Sequence, residues 1–117
     1  MLNASKVTAN IPAADLDRAR RFYADKLGLN PAQEGEGGLV YATTGGTSFF
    51  LYQTEFAGQA GHTIAQFHVD DIEAEVVRLR EAGATFRNDI ITGPGGKQVL
   101  LNDPSGNFVE LFQPAFR

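Results

Sequence analysis

Glu110 is the residue of this 117-residue chain whose setting most invites chemistry. It lies in Phe108-Val109-Glu110-Leu111-Phe112. Successive strand side chains project to opposite faces, so Val109 and Leu111 share one face while Phe108, Glu110 and Phe112 share the other. A carboxylate between two aromatics is costly to bury unless it is hydrogen-bonded, paired or bound to a metal. It therefore either stays at the surface or lines a cavity, where it could serve as acid or base. His68 is the second candidate. With Glu110 it forms the one plausible pair of imidazole and carboxylate, although beside Asp70 and Asp71 it also reads as a surface ring held by carboxylates. His62 and His68 stand six residues apart, roughly 20 Å along an extended strand at 3.3 Å per residue, so they cannot share one ion. His62, next to Gly61, reads as loop.

The remaining templates do poorly. The chain has no cysteine, which removes disulfides, thiolate zinc sites and cysteine nucleophiles together and fits a reducing cytosol. Ser48 and Ser105 have no evident base, and Gly93-Pro94-Gly95-Gly96 sits between strands as a turn, not before a helix as a phosphate loop. A net charge of −4 and a pI near 5.0 argue against a nucleic-acid partner, which demands a basic stripe, and leave room for a cationic small molecule. Residues 1–6 lack a basic region followed by an apolar run, and no stretch approaches the roughly 20 apolar residues of a membrane span. A soluble, cytoplasmic protein is expected.

The elements that must position these residues follow from periodicity. Residues 6–11 alternate, with Val7, Ala9 and Ile11 on one face, and Pro12 is expected to end that strand. Asp15 is a fair N-cap for a helix through Leu27 that carries Leu16, Ala19, Phe22 and Tyr23, and Gly28 is its stop. Arg18, Arg20 and Arg21 read as its solvated face. Residues 29–34, 39–43 and 47–53 complete the first half, with Gly37-Gly38 and Gly45-Gly46 as hairpin turns. Residues 54–61 read as a linker.

The order then repeats. Residues 63–69 are a strand with Ala65, Phe67 and Val69 on one face and Ile64, Gln66 and His68 on the other. Asp70 or Asp71 caps a helix with Ile72, Val76 and Leu79, which Gly83 stops. Strands at 84–91 and 97–102 follow, then the type I turn Asp103-Pro104-Ser105-Gly106 and the strand holding Glu110. Each half is strand, helix and three strands, and internal duplication is the economical explanation. One domain, 1–117, is expected, with module one at about 1–56 and module two at about 62–117.

Three motifs in this order carry a family likeness: Asp15-Leu16-Asp17-Arg18-Ala19-Arg20-Arg21-Phe22-Tyr23 with Leu27-Gly28-Leu29, then Val69-Asp70-Asp71-Ile72 with Leu79-Arg80-Glu81-Ala82-Gly83, then Asp103 to Leu111. The chain resembles the vicinal oxygen chelate superfamily, which includes glyoxalase I, extradiol dioxygenases, and fosfomycin- and bleomycin-resistance proteins. The resemblance implies an α+β fold of two βαβββ modules forming an open, cupped eight-stranded sheet, paired in a homodimer. It also implies four metal-ligand positions, which in this chain fall on Thr8, Phe50, Ile64 and Glu110. Phe and Ile have no lone pair to donate, so no bound metal is expected, and His68 lies roughly 13 Å beyond Ile64, too far to replace it.

If the helices cover the face bearing Val7, Ala9, Ala65, Phe67, Val69, Val109 and Leu111, the other face presents Thr8, Asn10, Phe50, Tyr52, Ile64, Gln66, His68, Phe108, Glu110 and Phe112. Aromatic walls with a few convergent polar groups suit a small molecule, here an aromatic or cationic one. The leading expectation is a metal-independent binding protein like the bleomycin-resistance branch, sequestering a drug or metabolite. A divalent-metal lyase, isomerase or dioxygenase using Glu110, with His68 as a further catalytic candidate, is the first alternative. A structural or partner-binding dimer is the second.

Overall fold

The computed structural model describes residues 2–115, so the outermost ends assigned to the two modules lie outside the described residues. After a 3₁₀ turn at Leu2–Ala4, the first half comprises β1 (Ala9–Ala13), α1 (Leu16–Asp25), β2 (Gln33–Glu34), β3 (Leu39–Ala42) and β4 (Ser48–Gln53). The second comprises β5 (Thr63–His68), α2 (Ile72–Glu81), β6 (Ile91–Gly93), β7 (Gly96–Asn102) and β8 (Phe108–Pro114). The eight strands form two four-stranded sheets ordered β1-β4-β3-β2 and β5-β8-β7-β6, each an α+β module of the expected βαβββ order. β1 runs parallel to β4 and β5 parallel to β8; the other pairs are antiparallel. The edges β1 and β5 lie side by side.

Both helices start where a carboxylate can satisfy a free amide of the first turn. Asp15 accepts from the Arg18 amide at 3.0 Å, and Asp71 accepts from Ala74 at 3.1 Å. Gly28 and Gly83 follow the helices at φ of 70° and 92°, a left-handed conformation that glycine adopts without a Cβ clash. α1 buries Ala19 and Tyr23 against Ile11, Ala13, Leu39, Tyr41, Phe49 and Leu51. α2 buries Ile72, Val76 and Leu79 against Val99, Leu101, Val109 and Leu111. Phe22, Leu27 and Phe67 pack against both clusters, so the two helices cover the same side of the molecule. The result is a slab of 40 × 39 × 26 Å whose two sheets turn their other faces outward with no helix over them.

The turn at residues 103–106 ties the halves together. Gly106 N–H donates to the Asp103 carbonyl at 3.2 Å, the bond of the expected turn. Asp103 Oδ1 accepts from the amides of Ser105 and Asn107, both at 2.9 Å, while its Oδ2 accepts from Asn107 Nδ2 at 2.7 Å and from the Tyr23 hydroxyl at 3.2 Å. Asn107 Nδ2 also donates to the Pro12 carbonyl at 2.7 Å, and its Oδ1 accepts from Gly58 N–H at 3.1 Å. Gly58 must be glycine at this contact: a Cβ there would sit 2.3 Å from the Ser105 carbonyl oxygen. Burial, then the adjacent Asp103 carboxylate, push the Tyr23 hydroxyl well above the ordinary tyrosine pKa.

Four expectations are corrected. β1 begins at Ala9 and runs through Pro12, because it is an edge strand and a missing N–H on its outer side breaks no ladder. Val7 therefore lies outside the strand and is 91% exposed, and Ile11 and Ala13 supply the buried positions. Of residues 29–34 only Gln33–Glu34 pair, with Val40 and Leu39. Residues 84–91 are not a regular strand: Phe86 bridges Leu101, but the Asn88 side chain takes the Leu100 N–H at 2.8 Å, and the ladder resumes only at Ile91.

Candidate functional site

Glu110 stands where the alternation of β8 predicts. Val109 and Leu111 are buried under α2, while Phe108, Glu110 and Phe112 project from the opposite, helix-free face. β5 runs parallel alongside, setting Gln66 opposite Glu110 and His68 opposite Phe112. Glu110 is only 8% exposed. It accepts a hydrogen bond from Gln66 Nε2, and Gln66 Oε1 faces His68 Nε2 at 2.9 Å. An ionised carboxylate only accepts, so it turns the amide nitrogen of Gln66 toward itself; the His68 nitrogen facing Oε1 must then carry the proton. The His68 ring meets the Phe112 ring edge-on, with centroids 5.6 Å apart. The two catalytic candidates thus belong to one hydrogen-bonded chain through Gln66 and do not touch directly.

Of the ten residues expected on this face, Gln66, His68, Phe108, Glu110 and Phe112 come together on β5 and β8. Asn10, Phe50 and Tyr52 share the open face of the first sheet, where Asn10 is opposite Phe50 and the Phe50 and Tyr52 rings lie parallel with centroids 6.1 Å apart. Thr8 precedes β1 and is exposed. Ile64 sits at an irregularity in the β5–β8 register and packs against the core of the first half.

Beside the adjoining edges of β1 and β5 opens a cavity of about 780 Å³, with Ile11, Phe49, Ile64 and Phe67 as apolar walls. Hydroxyls of the turn at residues 43–48 line one end, and Gln66 and His68 line the side toward the open face. Three of the ten expected residues, Ile64, Gln66 and His68, therefore border it.

Arg87 is the residue the sequence reading missed. Its guanidinium carbon lies 3.9 Å from the centroid of the Phe108 ring, and its Nη1 donates to Asn102 Oδ1 at 2.9 Å. Asn102 is paired with Phe108 across β7 and β8, so Arg87 reaches over the open face from the irregular segment beside β7. Alternation in residues 84–91 offered a weak signal, since it puts Phe86 and Arg87 on opposite faces.

The pattern of two sheets, two capped helices and one open face has a known owner. Residues 6–111 match the family model described as the Glyoxalase/Bleomycin resistance protein/Dioxygenase superfamily. The chain belongs to this superfamily. The anthracycline biosynthesis protein DauV of Streptomyces sp. (strain C5) is 32% identical over 101 residues, 79% of this chain, and the chain spans 35% of that relative's length. TnmS3, an antibiotic binding protein from Streptomyces sp. CB03234, superposes with a TM-score of 0.83 at 26% identity, covering 98% of this chain and 99% of its own. A lactoylglutathione lyase from Agrobacterium tumefaciens has the same fold, with a TM-score of 0.75 at 20% identity over 94% of this chain and 93% of its own.

Metal-using members of the superfamily raise the question of whether this chain's residues suit an ion. The positions that the family resemblance implies are Thr8, Phe50, Ile64 and Glu110; two are hydrocarbon, Thr8 lies outside the strand, and one Glu110 oxygen is engaged by Gln66. Among the described residues no three His, Cys, Asp or Glu side chains are grouped to hold an ion. This donor set does not fit an octahedral oxygen and nitrogen site.

Proposed function

We propose that the protein binds a small planar molecule, aromatic or cationic, on its open face and does so without a metal, sequestering a drug or metabolite. The observation that carries this reading is the largely buried Glu110 carboxylate, oriented by Gln66 and flanked by Phe108 and Phe112 on a face that no helix covers. Few polar groups among aromatic walls are what orients a ligand in an apolar site. The likeness to TnmS3, an antibiotic binding protein, and to the anthracycline biosynthesis protein DauV supports a small-molecule ligand. Asn10, Phe50 and Tyr52 form the matching surface of the first sheet, and the acidic, cysteine-free composition suits the cytoplasm.

A thermal-shift screen of planar aromatic and cationic compounds tests this, because a ligand that binds only the folded state raises its apparent stability. Hits lost in Glu110→Ala support the reading, and hits retained in that variant place the site elsewhere. Stoichiometric Mn, Fe, Co, Ni or Zn in protein purified without chelator, required for turnover, would promote the metalloenzyme alternative instead.

The uncovered strand edges also favour a homodimer, since a second copy would shield them while leaving room for the ligand between the two open faces. Light scattering at micromolar concentration should return twice the 12.6 kDa chain mass; a monomer would remove this part of the proposal.

A further inference from the structure

We propose that Arg87 sets specificity on the open face, and that the molecule bound there is a planar aromatic carrying an ionised acid group, a carboxylate or sulfonate. The inference rests on the open face being the binding surface. Arg87 is held at two points: its backbone N–H donates to the Leu100 carbonyl at 2.8 Å, and Nη1 donates to Asn102 Oδ1 at 2.9 Å. The guanidinium carbon lies over the Phe108 ring, 3.9 Å from its centroid. Both side-chain partners are neutral, so they orient the cation without cancelling its charge.

Acids outnumber bases in this chain, 14 to 10, yet Arg87 has no acid partner among the described residues. Those ion pairs join Arg20 to Glu34, Arg78 to Glu75 and Lys97 to Glu73. Asp89, two residues on, makes none with it. The remaining guanidinium N–H groups are thus free to form the forked, charge-assisted pair that arginine makes with a carboxylate or sulfonate.

Position narrows the ligand further. Phe108 and Glu110 are two residues apart on one strand face, roughly 7 Å at about 3.4 Å per residue. Because Arg87 covers the Phe108 ring, an incoming ring at that end meets the guanidinium itself, while Phe112, in edge contact with His68, bounds the other end. A plain cation drawn to Glu110 would meet the Arg87 charge one strand step away. A ring system with an acid toward Arg87 and a hydrogen-bond donor toward Glu110 satisfies both groups.

The test compares anthracene-2-carboxylate with anthracene-2-carboxamide, two probes of one shape that differ in charge, by fluorescence titration of the wild type, Arg87→Gln and Arg87→Lys at low salt. The wild type should bind the carboxylate about tenfold more tightly than the carboxamide. Arg87→Gln should lose that margin with little change for the carboxamide, and Arg87→Lys should keep only part of it, since lysine retains the charge without the fork. Urea midpoints should stay within error, as Arg87 is exposed. Equal affinity of the wild type for both probes, or equal weakening of both in Arg87→Gln, would overturn the inference while leaving aromatic binding intact. Failure of both probes to bind would remove the reading of the open face and this inference with it.

Discussion

Truncating Asn107 to alanine should cost about 2.5 to 4 kcal/mol of folding stability, a large effect for one polar side chain. Asn107 is 2% exposed and its amide makes three hydrogen bonds, to Asp103 Oδ2 and the Pro12 carbonyl at 2.7 Å each and from Gly58 N–H at 3.1 Å. The bond to the carboxylate is charge-assisted, worth about 1.5 to 3 kcal/mol, and an orphaned buried carbonyl adds about 1 kcal/mol more. Asp103 keeps the Tyr23 hydroxyl and two amides, which prevents the larger penalty of an unpaired buried charge. Urea titration should therefore show a lower midpoint with an unchanged slope, because the same surface is exposed on unfolding. Since Pro12 belongs to the first half, Gly58 to the linker and Asp103 to the second, the variant also tests whether this knot couples the modules. A loss below 1 kcal/mol would refute that reasoning.

Three further predictions follow from neighbouring observations. Tyr41→Phe should be neutral or stabilising by up to about 1 kcal/mol in the same titration, because the Tyr41 hydroxyl is buried with no hydrogen-bond partner among the described residues and its removal leaves the stacking on Phe49 in place. Val109→Ala should cost about 2 kcal/mol by leaving a cavity beneath α2, whereas Glu110→Ala should cost about 1 kcal/mol or less while weakening ligand binding; the reverse ranking would mean the two faces of β8 are misassigned. Stability should fall above pH 10 by up to about 1.4 kcal/mol per pH unit from Tyr23, since the unfolded chain loses that proton near its ordinary pKa while the folded chain holds it. Tyr23→Phe should flatten that decline, and an equally steep decline in the variant would rule Tyr23 out as its cause.

Much of this was legible where local rules act alone. The aspartate caps, the stops at Gly28 and Gly83, the turn at 103–106 and the two faces of β8 each depend on a few adjacent residues, and each appears as read. What was not legible depends on partners distant in sequence. Pro12 looked like a terminator because nothing local marks β1 as an edge. The pairing of residues 84–91 was broken by a side chain, Asn88, that competes for the Leu100 amide. Arg87 was missed for the same reason: its place over Phe108 depends on a neighbouring strand 21 positions further along the chain. The link between His68 and Glu110 likewise runs through Gln66, whose role appears only once β5 lies beside β8.

The most direct test of the account is calorimetric titration of a planar aromatic hit from the screen into protein stripped with EDTA, alongside untreated protein and Glu110→Ala. The account predicts the same affinity before and after stripping, and a loss of at least about tenfold in Glu110→Ala. Binding that disappears on stripping and returns with Mn, Ni or Zn would contradict it.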